Sequence, residues 1–266
     1  MARSAKRLGE LGTFRGVKHP PARGPTSSHK WRAGREWLRA HVNAPSAAAL
    51  NRRGKTVGRR LVGWYEESGR DFPWRRAGAS VYQRVVSEVL LQQTTATAVA
   101  GQYDDFFSRF PSWRSLAEAD TSQLEQQLRP LGLWQRRARA LRSLGRAVVE
   151  NKEQLPRDRA ALEQYPAIGQ YVASAVRVFA HGLSEPLLDV NMARVLERYF
   201  GTRTRADIRY DPFLQAAARA CIRGQDPTVV NWAFLDLGSL VCKARSPSCP
   251  ACPLQRGCHY AVIHRP

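Results

Sequence analysis

From Arg59 to Arg223, apolar residues recur at spacings of three and four and nowhere alternate over a strand's length, which predicts an all-α chain. Arg59 to Glu67 places Leu61, Val62, Trp64 and Tyr65 on a first helix, and Asp71-Phe72-Pro73-Trp74-Arg75 breaks it. The most apolar long stretch, Val81 to Phe107, reads as two helices. Val85, Val86, Val89, Leu90 and Leu91 mark a buried one, and Tyr103, Phe106 and Phe107 close another after Thr94-Thr95-Ala96-Thr97. Further helices are predicted over Trp113 to Ala119, Thr121 to Leu128, Gln135 to Asn151, Pro156 to Gln164, Gln170 to His181, Asn191 to Phe200 and Pro212 to Arg223. About ten short helices without a repeat period exclude a solenoid.

Charge changes the picture at the N-terminus. The 266 residues carry 42 Lys and Arg against 22 Asp and Glu, a formal net charge of +20. Residues 1–55 hold 13 of the bases and only two acids, Glu10 and Glu36, and so supply +11 of that total. They are rich in Pro, Gly and Ser, with little periodicity before a short run from Lys30 to Val42, and are predicted to form a disordered basic arm. A DNA tether, a solubilising tail and a stretch ahead of a later true start all fit that composition. Positive charge on this scale most commonly serves a polyanion, here nucleic acid. No run approaches the roughly 18 apolar residues of a membrane helix, and no apolar stretch follows the basic start. A cytoplasmic, nucleoid-associated protein without membrane contact is expected.

Four of the five cysteines crowd the C-terminal end. Cys242, Cys249, Cys252 and Cys258 are spaced C-x6-C-x2-C-x5-C, with Pro247, Pro250 and Pro253 holding the chain in turns between them. Four thiolates in such a loop suit one metal centre. Structural zinc usually takes two short knuckles with a longer spacer, whereas here a single knuckle sits between wider gaps, which favours a 4Fe-4S cluster. Cys221 lies apart on an apolar helix and reads as a core residue.

Three further segments carry candidate chemistry. Tyr165-Pro166-Ala167-Ile168-Gly169 is a tight turn ahead of a helix, where exposed amides and the helix dipole favour a phosphate. Asp189, in Leu187-Leu188-Asp189-Val190-Asn191, stands where an N-cap belongs, and equally where a carboxylate could stabilise an oxocarbenium-like sugar. Glu88 is the one acid in the apolar run Val85 to Leu91, and an unpaired buried carboxylate is costly enough to suggest a purpose.

Taken together, the cysteine spacing, the hairpin, the Asp189 segment and Ser87-Glu88-Val89-Leu90-Leu91-Gln92-Gln93-Thr94 resemble the endonuclease III/MutY-like DNA glycosylases of the helix-hairpin-helix superfamily over roughly Leu61 to Tyr260. The hairpin departs from the family's Leu-Pro-Gly-Val-Gly in Tyr165 and Ala167. The resemblance implies a two-lobed fold with a C-terminal 4Fe-4S loop. Residues 81–187 would form a six-helix lobe with the hairpin, and residues 56–80 with 188–262 the cluster lobe. It implies Asp189 and Glu88 as catalytic acids with Tyr171 completing the catalytic set, Cys242, Cys249, Cys252 and Cys258 as cluster ligands, and the hairpin residues Ile168, Gly169 and Gln170 as DNA contacts. Gln92 or Gln93 would fill the space of an extruded base, and Leu133 or Trp134 would wedge the opposite strand. Arg136, Arg137, Arg139, Arg142 and Arg146 give a basic helix face for phosphates.

Where the family's bifunctional members carry a lysine nucleophile, this chain has Tyr171, implying a monofunctional enzyme with weak or no AP lyase activity. Tyrosine there, together with Thr94-Thr95-Ala96 and Arg198-Tyr199-Phe200-Gly201, is similar to the thymine/uracil mismatch glycosylases. Gln92-Gln93 is similar to MutY, whose 8-oxoguanine-reading domain has no counterpart in the eight residues after Cys258. The expectation is excision of T or U opposite G from duplex DNA by a monomer. An adenine glycosylase acting opposite G or 8-oxoguanine is the alternative, and a non-catalytic DNA-binding protein a further one.

Overall fold

The computed structural model describes residues 46–264, so residues 1–45 of the predicted basic arm lie outside the described residues. Twelve α-helices and four short 3-10 turns make up the described residues, with no strand among them. Helix α1 (Ala47–Ser68) begins earlier than its periodicity suggests, because Ser46 accepts a hydrogen bond from the Ala49 amide and three alanines follow it. Residues 47–55, assigned to the arm from composition, are therefore helical.

After a 3-10 turn at Pro73–Arg75 come α2 (Val81–Leu90), α3 (Ala96–Arg109), α4 (Trp113–Glu118), α5 (Thr121–Leu128) and α6 (Trp134–Glu150). The chain continues through α7 (Arg159–Leu162), α8 (Gln170–Phe179), α9 (Val190–Phe200), α10 (Pro212–Ile222), α11 (Pro227–Leu240) and α12 (His259–Ile263). Ser80 with Gln83, and Ser112 with Ser115, form reciprocal capping boxes at α2 and α4. Asp120, Asp158, Asp189, Asp211 and Asp226 cap α5, α7, α9, α10 and α11. Periodicity predicts neither the five-residue α12 nor the long helix α11. Helix α11 is buried nearly all round, from Val230 to Gly238, and such a helix shows no polar face to set a period.

Two hydrophobic cores result. One gathers α2 to α6 and α8 around Phe106, Leu116, Leu128 and Leu141, and it also takes in Phe72 and Trp74. The other gathers α1 and α9 to α11 around Leu61, Phe200 and Phe234. In the second, α1 crosses α10 at its glycines. A Cβ on Gly54 would lie 2.5 Å from Ala220 Cβ, and one on Gly58 only 2.1 Å from the Cys221 carbonyl oxygen.

The connector between α8 and α9 runs from one core to the other and is tightly held. Glu185 accepts from Arg159 of α7, Arg177 of α8 and Arg219 of α10 at 3.2, 2.9 and 2.9 Å. Asn231 of α11 donates to the Glu185 carbonyl at 2.9 Å and accepts from the Leu187 amide at 2.8 Å.

Candidate active site

A cleft of about 1180 Å³ opens between the two cores, and Glu88, Tyr171 and Asp189 all line it. Glu88 comes from α2, where the spacing that buries Val85 and Val89 also turns position 88 inward, leaving it 2% exposed. Burial pushes its carboxyl up to about 7, and the nearby Asp189 charge adds to that. The Tyr171 hydroxyl, from the first turn of α8, hydrogen-bonds to Glu88 and with Arg75 pulls the other way. Tyr171 itself is raised well above 10 by burial and by the two acids, so it remains a neutral hydrogen-bond donor.

Asp189 takes both roles open to it in the sequence. Its Oδ1 accepts from the Asn191 and Met192 amides at 2.9 and 2.8 Å, capping α9, while Oδ2 accepts from Asn191 Nδ2 at 2.8 Å. Burial raises its carboxyl against the pull of those bonds and of Arg194. The caps leave Oδ2 at the cleft with one partner, held in place by a helix N-terminus.

Arg70 and Arg75, which have no assigned role in the sequence, line the same cleft, and Asp236 holds both from behind. Asp236 is fully buried and accepts from Arg75 at 2.8 and 3.1 Å and from the Arg70 guanidinium at 2.7 and 2.9 Å. Arg75 is sandwiched over the rings of Phe72 and Trp232, with centroids at 5.0 and 5.4 Å. Two guanidinium groups on one carboxylate leave a net positive charge beside Glu88. Asp236 is the one acid in apolar α11, the same signal that exposed Glu88.

The hairpin residues divide. Ile168 borders the cleft but is 4% exposed and packs in the first core. Gly169 starts α8 without a side-chain cap, which leaves the first amides of the helix for an anion. Ala167 takes φ 63°, the left-handed conformation that the family's glycine adopts freely. Gln170 is buried at the cleft wall, and its carbonyl accepts from Arg159 at 3.2 Å.

Gln92 and Gln93 are exposed at the cleft rim, with Gln93 at φ 59°. Leu133 and Trp134, 50% and 37% exposed, do not line the cleft. They stand at the start of α6, linked to the rim by the Thr94 hydroxyl, which donates to the Leu131 carbonyl at 3.3 Å. The expected basic face of α6 is only partly basic. Arg136, Arg139 and Arg146 are exposed, but Arg137 is turned inward and Arg142 bonds Thr121 at 2.9 Å. Arg137 shares the face of Leu141, Leu144 and Val148, and that register buries it.

Away from the cleft, Cys242, Cys249, Cys252 and Cys258 line a single small cavity with Arg198 and Tyr260. Arg198 Nη1 lies 3.2 Å from Cys242 Sγ and donates to the Lys243 carbonyl at 2.8 Å. Burial pushes the Cys252 thiol up to about 12 and moves Cys249 and Cys258 the same way. Cys221 is fully buried elsewhere, in the second core. No group of three or more His, Cys, Asp or Glu is close enough for one metal ion among the described residues.

Residues 86–220 match the family model described as HhH-GPD superfamily base excision DNA repair protein. The chain is 36% identical to the thymine-DNA glycosylase of Aeropyrum pernix over 76% of its own length and 92% of that protein. It is 38% identical to the thymine/uracil-DNA glycosylase of Pyrobaculum aerophilum, over 73% and 86% of the two chains. To the adenine DNA glycosylase of Mycobacterium tuberculosis it is 34% identical, over 73% of this chain and 64% of that one. Among solved structures, a thermostable thymine-DNA glycosylase superposes with a TM-score of 0.74 at 28% identity, covering 81% of this chain and 99% of its own.

Proposed function

Since the chain belongs to the HhH-GPD superfamily of base excision DNA repair proteins, we propose that its cleft hydrolyses the N-glycosidic bond of a T or U mispaired with G in duplex DNA. The observation that carries this reading is the meeting of Glu88, Tyr171 and Asp189 in one cleft, with tyrosine where a lyase needs an amine. The base is drawn out of the stack, a step that costs least at a mismatch. Glu88, protonated up to about pH 7, hydrogen-bonds the base as the C1′–N bond breaks and its electron pair passes to the base nitrogen. The Asp189 carboxylate stabilises the positive charge left on the sugar. Water adds its oxygen to C1′, its proton leaves through Asp189, and the products are the free base and an abasic site. Tyr171 orients Glu88, and lacking a nucleophilic amine it does not cut the strand. The hairpin amides at Gly169 hold a phosphate, Gln92 and Gln93 fill the vacated stack, and Leu133 and Trp134 meet the opposite strand.

Single-turnover cleavage of duplexes carrying T·G, U·G, A·G and A·8-oxoguanine, each with and without hot alkali, tests the reading. T·G and U·G should give alkali-dependent product that Asp189→Asn loses, by about 10²- to 10⁴-fold. Product from the adenine duplexes alone would establish the second reading, which Gln92-Gln93 and the 34% identity to an adenine glycosylase favour. No product from any duplex would leave a DNA-binding protein.

The cysteine loop fits a 4Fe-4S cluster held by Cys242, Cys249, Cys252 and Cys258. Four thiols border one cavity, the ligand count that such a cluster takes, and Arg198 supplies positive charge beside them. When bound, such a cluster cross-links the loop and provides a one-electron redox centre. Equal iron and acid-labile sulfide, four of each per chain, would support it, and zinc in their place would overturn it.

A further inference from the structure

Arg137 is a buried cation, 7% exposed, and among the described residues no carboxylate accepts from it. Its position makes this more costly. It lies in the first turn of α6, where the helix amides already carry partial positive charge. Such a group persists only if most of its donors are satisfied, and although Nε is buried without a partner, Nη1 and Nη2 converge on one short stretch of chain. Nη1 donates to the Leu90 carbonyl at 2.6 Å, while Nη2 donates to the Gln92 carbonyl at 2.7 Å and to the Thr94 hydroxyl. Leu90 is the last residue of α2 and Gln92 lies just past its C-cap Leu91, where carbonyls lose their helical partners and partial negative charge collects. Thr94 passes the connection on, donating to the Leu131 carbonyl in the turn before Leu133. One guanidinium thus ties together the end of the helix carrying Glu88, the loop carrying Gln92 and Gln93, and the turn that precedes Leu133 and Trp134. Gln93 is held at φ 59°, a conformation that a free loop would leave readily.

We propose that Arg137 is a positioning residue that braces the Gln92–Gln93 loop against the Leu131–Leu133 turn, so that the two enter the duplex as one rigid unit and hold the target base extruded. The inference rests on the cleft being a base-excision site, and it assigns Arg137 to extrusion, not to bond cleavage. The test compares single-turnover excision of U paired opposite G in a duplex with excision of U from an unpaired bulge, where extrusion is largely done beforehand. Arg137→Gln should lower the ratio of duplex to bulge rate by tenfold or more, and Arg137→Lys should restore part of it. Thr94→Val, which removes the bond from Arg137 and the link to Leu131 together but leaves the guanidinium in place, should lower the ratio several-fold and decides the matter if Arg137→Gln does not fold. In an Asp189→Asn background, 2-aminopurine beside the target should brighten less on binding when Arg137 is also replaced. An unchanged ratio in the Thr94 and Arg137 variants, or equal slowing of both substrates, would overturn the assignment while leaving the glycosylase standing. A wild-type protein inactive on both substrates would overturn the glycosylase reading and this inference with it.

Discussion

Burial among Val85, Val86 and Val89 holds the Glu88 carboxyl near 7, whereas an unfolded chain releases that proton near 4.5. The folded state therefore binds more protons between these values, and stability falls as pH rises from about 4.5 to about 7. Glu88→Gln keeps the neutral form at every pH. It should be more stable than wild type at pH 8, by up to about 3 kcal/mol at 1.4 kcal/mol per pKa unit, with the gap closing by about pH 4. Equal denaturant midpoints at pH 8 would mean that Glu88 is ionised at no cost. Ala167 offers a second test, because a left-handed non-glycine residue costs about 1–2 kcal/mol and glycine gives back part of that in unfolded-state entropy. Ala167→Gly should raise the melting temperature by a few degrees without slowing excision. Glu88 and Asp189 were legible because each is a single acid beside an apolar run. Arg75 was not, since a guanidinium next to a Pro-Trp turn has no partner in the sequence until α11 brings Asp236 to it.

Helix α1 carries three glycines, and the contexts of two of them, the buried Gly58 and the exposed Gly63, predict opposite outcomes. Gly58→Ala would drive a methyl group into the Cys221 carbonyl at 2.1 Å and must push α1 off α10. Overpacking of this kind typically costs about 1–3 kcal/mol, and a backbone neighbour that cannot yield places Gly58 at the upper end. Gly63, on the same helix, is exposed with nothing within 4 Å of an added Cβ. Gly63→Ala should therefore stabilise by about 1 kcal/mol through helix propensity alone. Urea titration of the two variants checks both signs. At this scale most helices were readable, because caps and a one-sided apolar stripe fix their type and rough extent. Helix α11 was not, since burial on all sides erases the stripe and only Asp226-Pro227 marks its start. Arg137 was misplaced on a basic face although its spacing to Leu141, Leu144 and Val148 set it inward. A run of arginines conceals a register that the apolar residues alone declare.

Taken whole, the molecule sets a strongly basic chain around a cleft assembled from both cores, and the cleft is what no single motif could reveal. The hairpin, Glu88 and Asp189 lie far apart in sequence, and their meeting follows from the path of residues 180–189 between α8 and α9. That connector is fastened by three arginines on Glu185 and by both ends of the Asn231 amide. A passage so fastened resists opening like a jaw, and the mechanical work of fitting duplex to protein falls on the DNA. Duplexes that bend easily should then be preferred at equal sequence. A nick or a flexible pyrimidine–purine step next to the mismatch should tighten binding, since bending a stiff site costs on the order of 1–6 kcal/mol. Equal affinity for nicked and intact mismatched duplexes in a titration at fixed salt would place the compliance in the protein instead. The glutamate at the centre of that arginine cluster would then mark a joint that yields, and the search for a lesion would be limited by how the protein flexes instead of by how readily each stretch of DNA gives way.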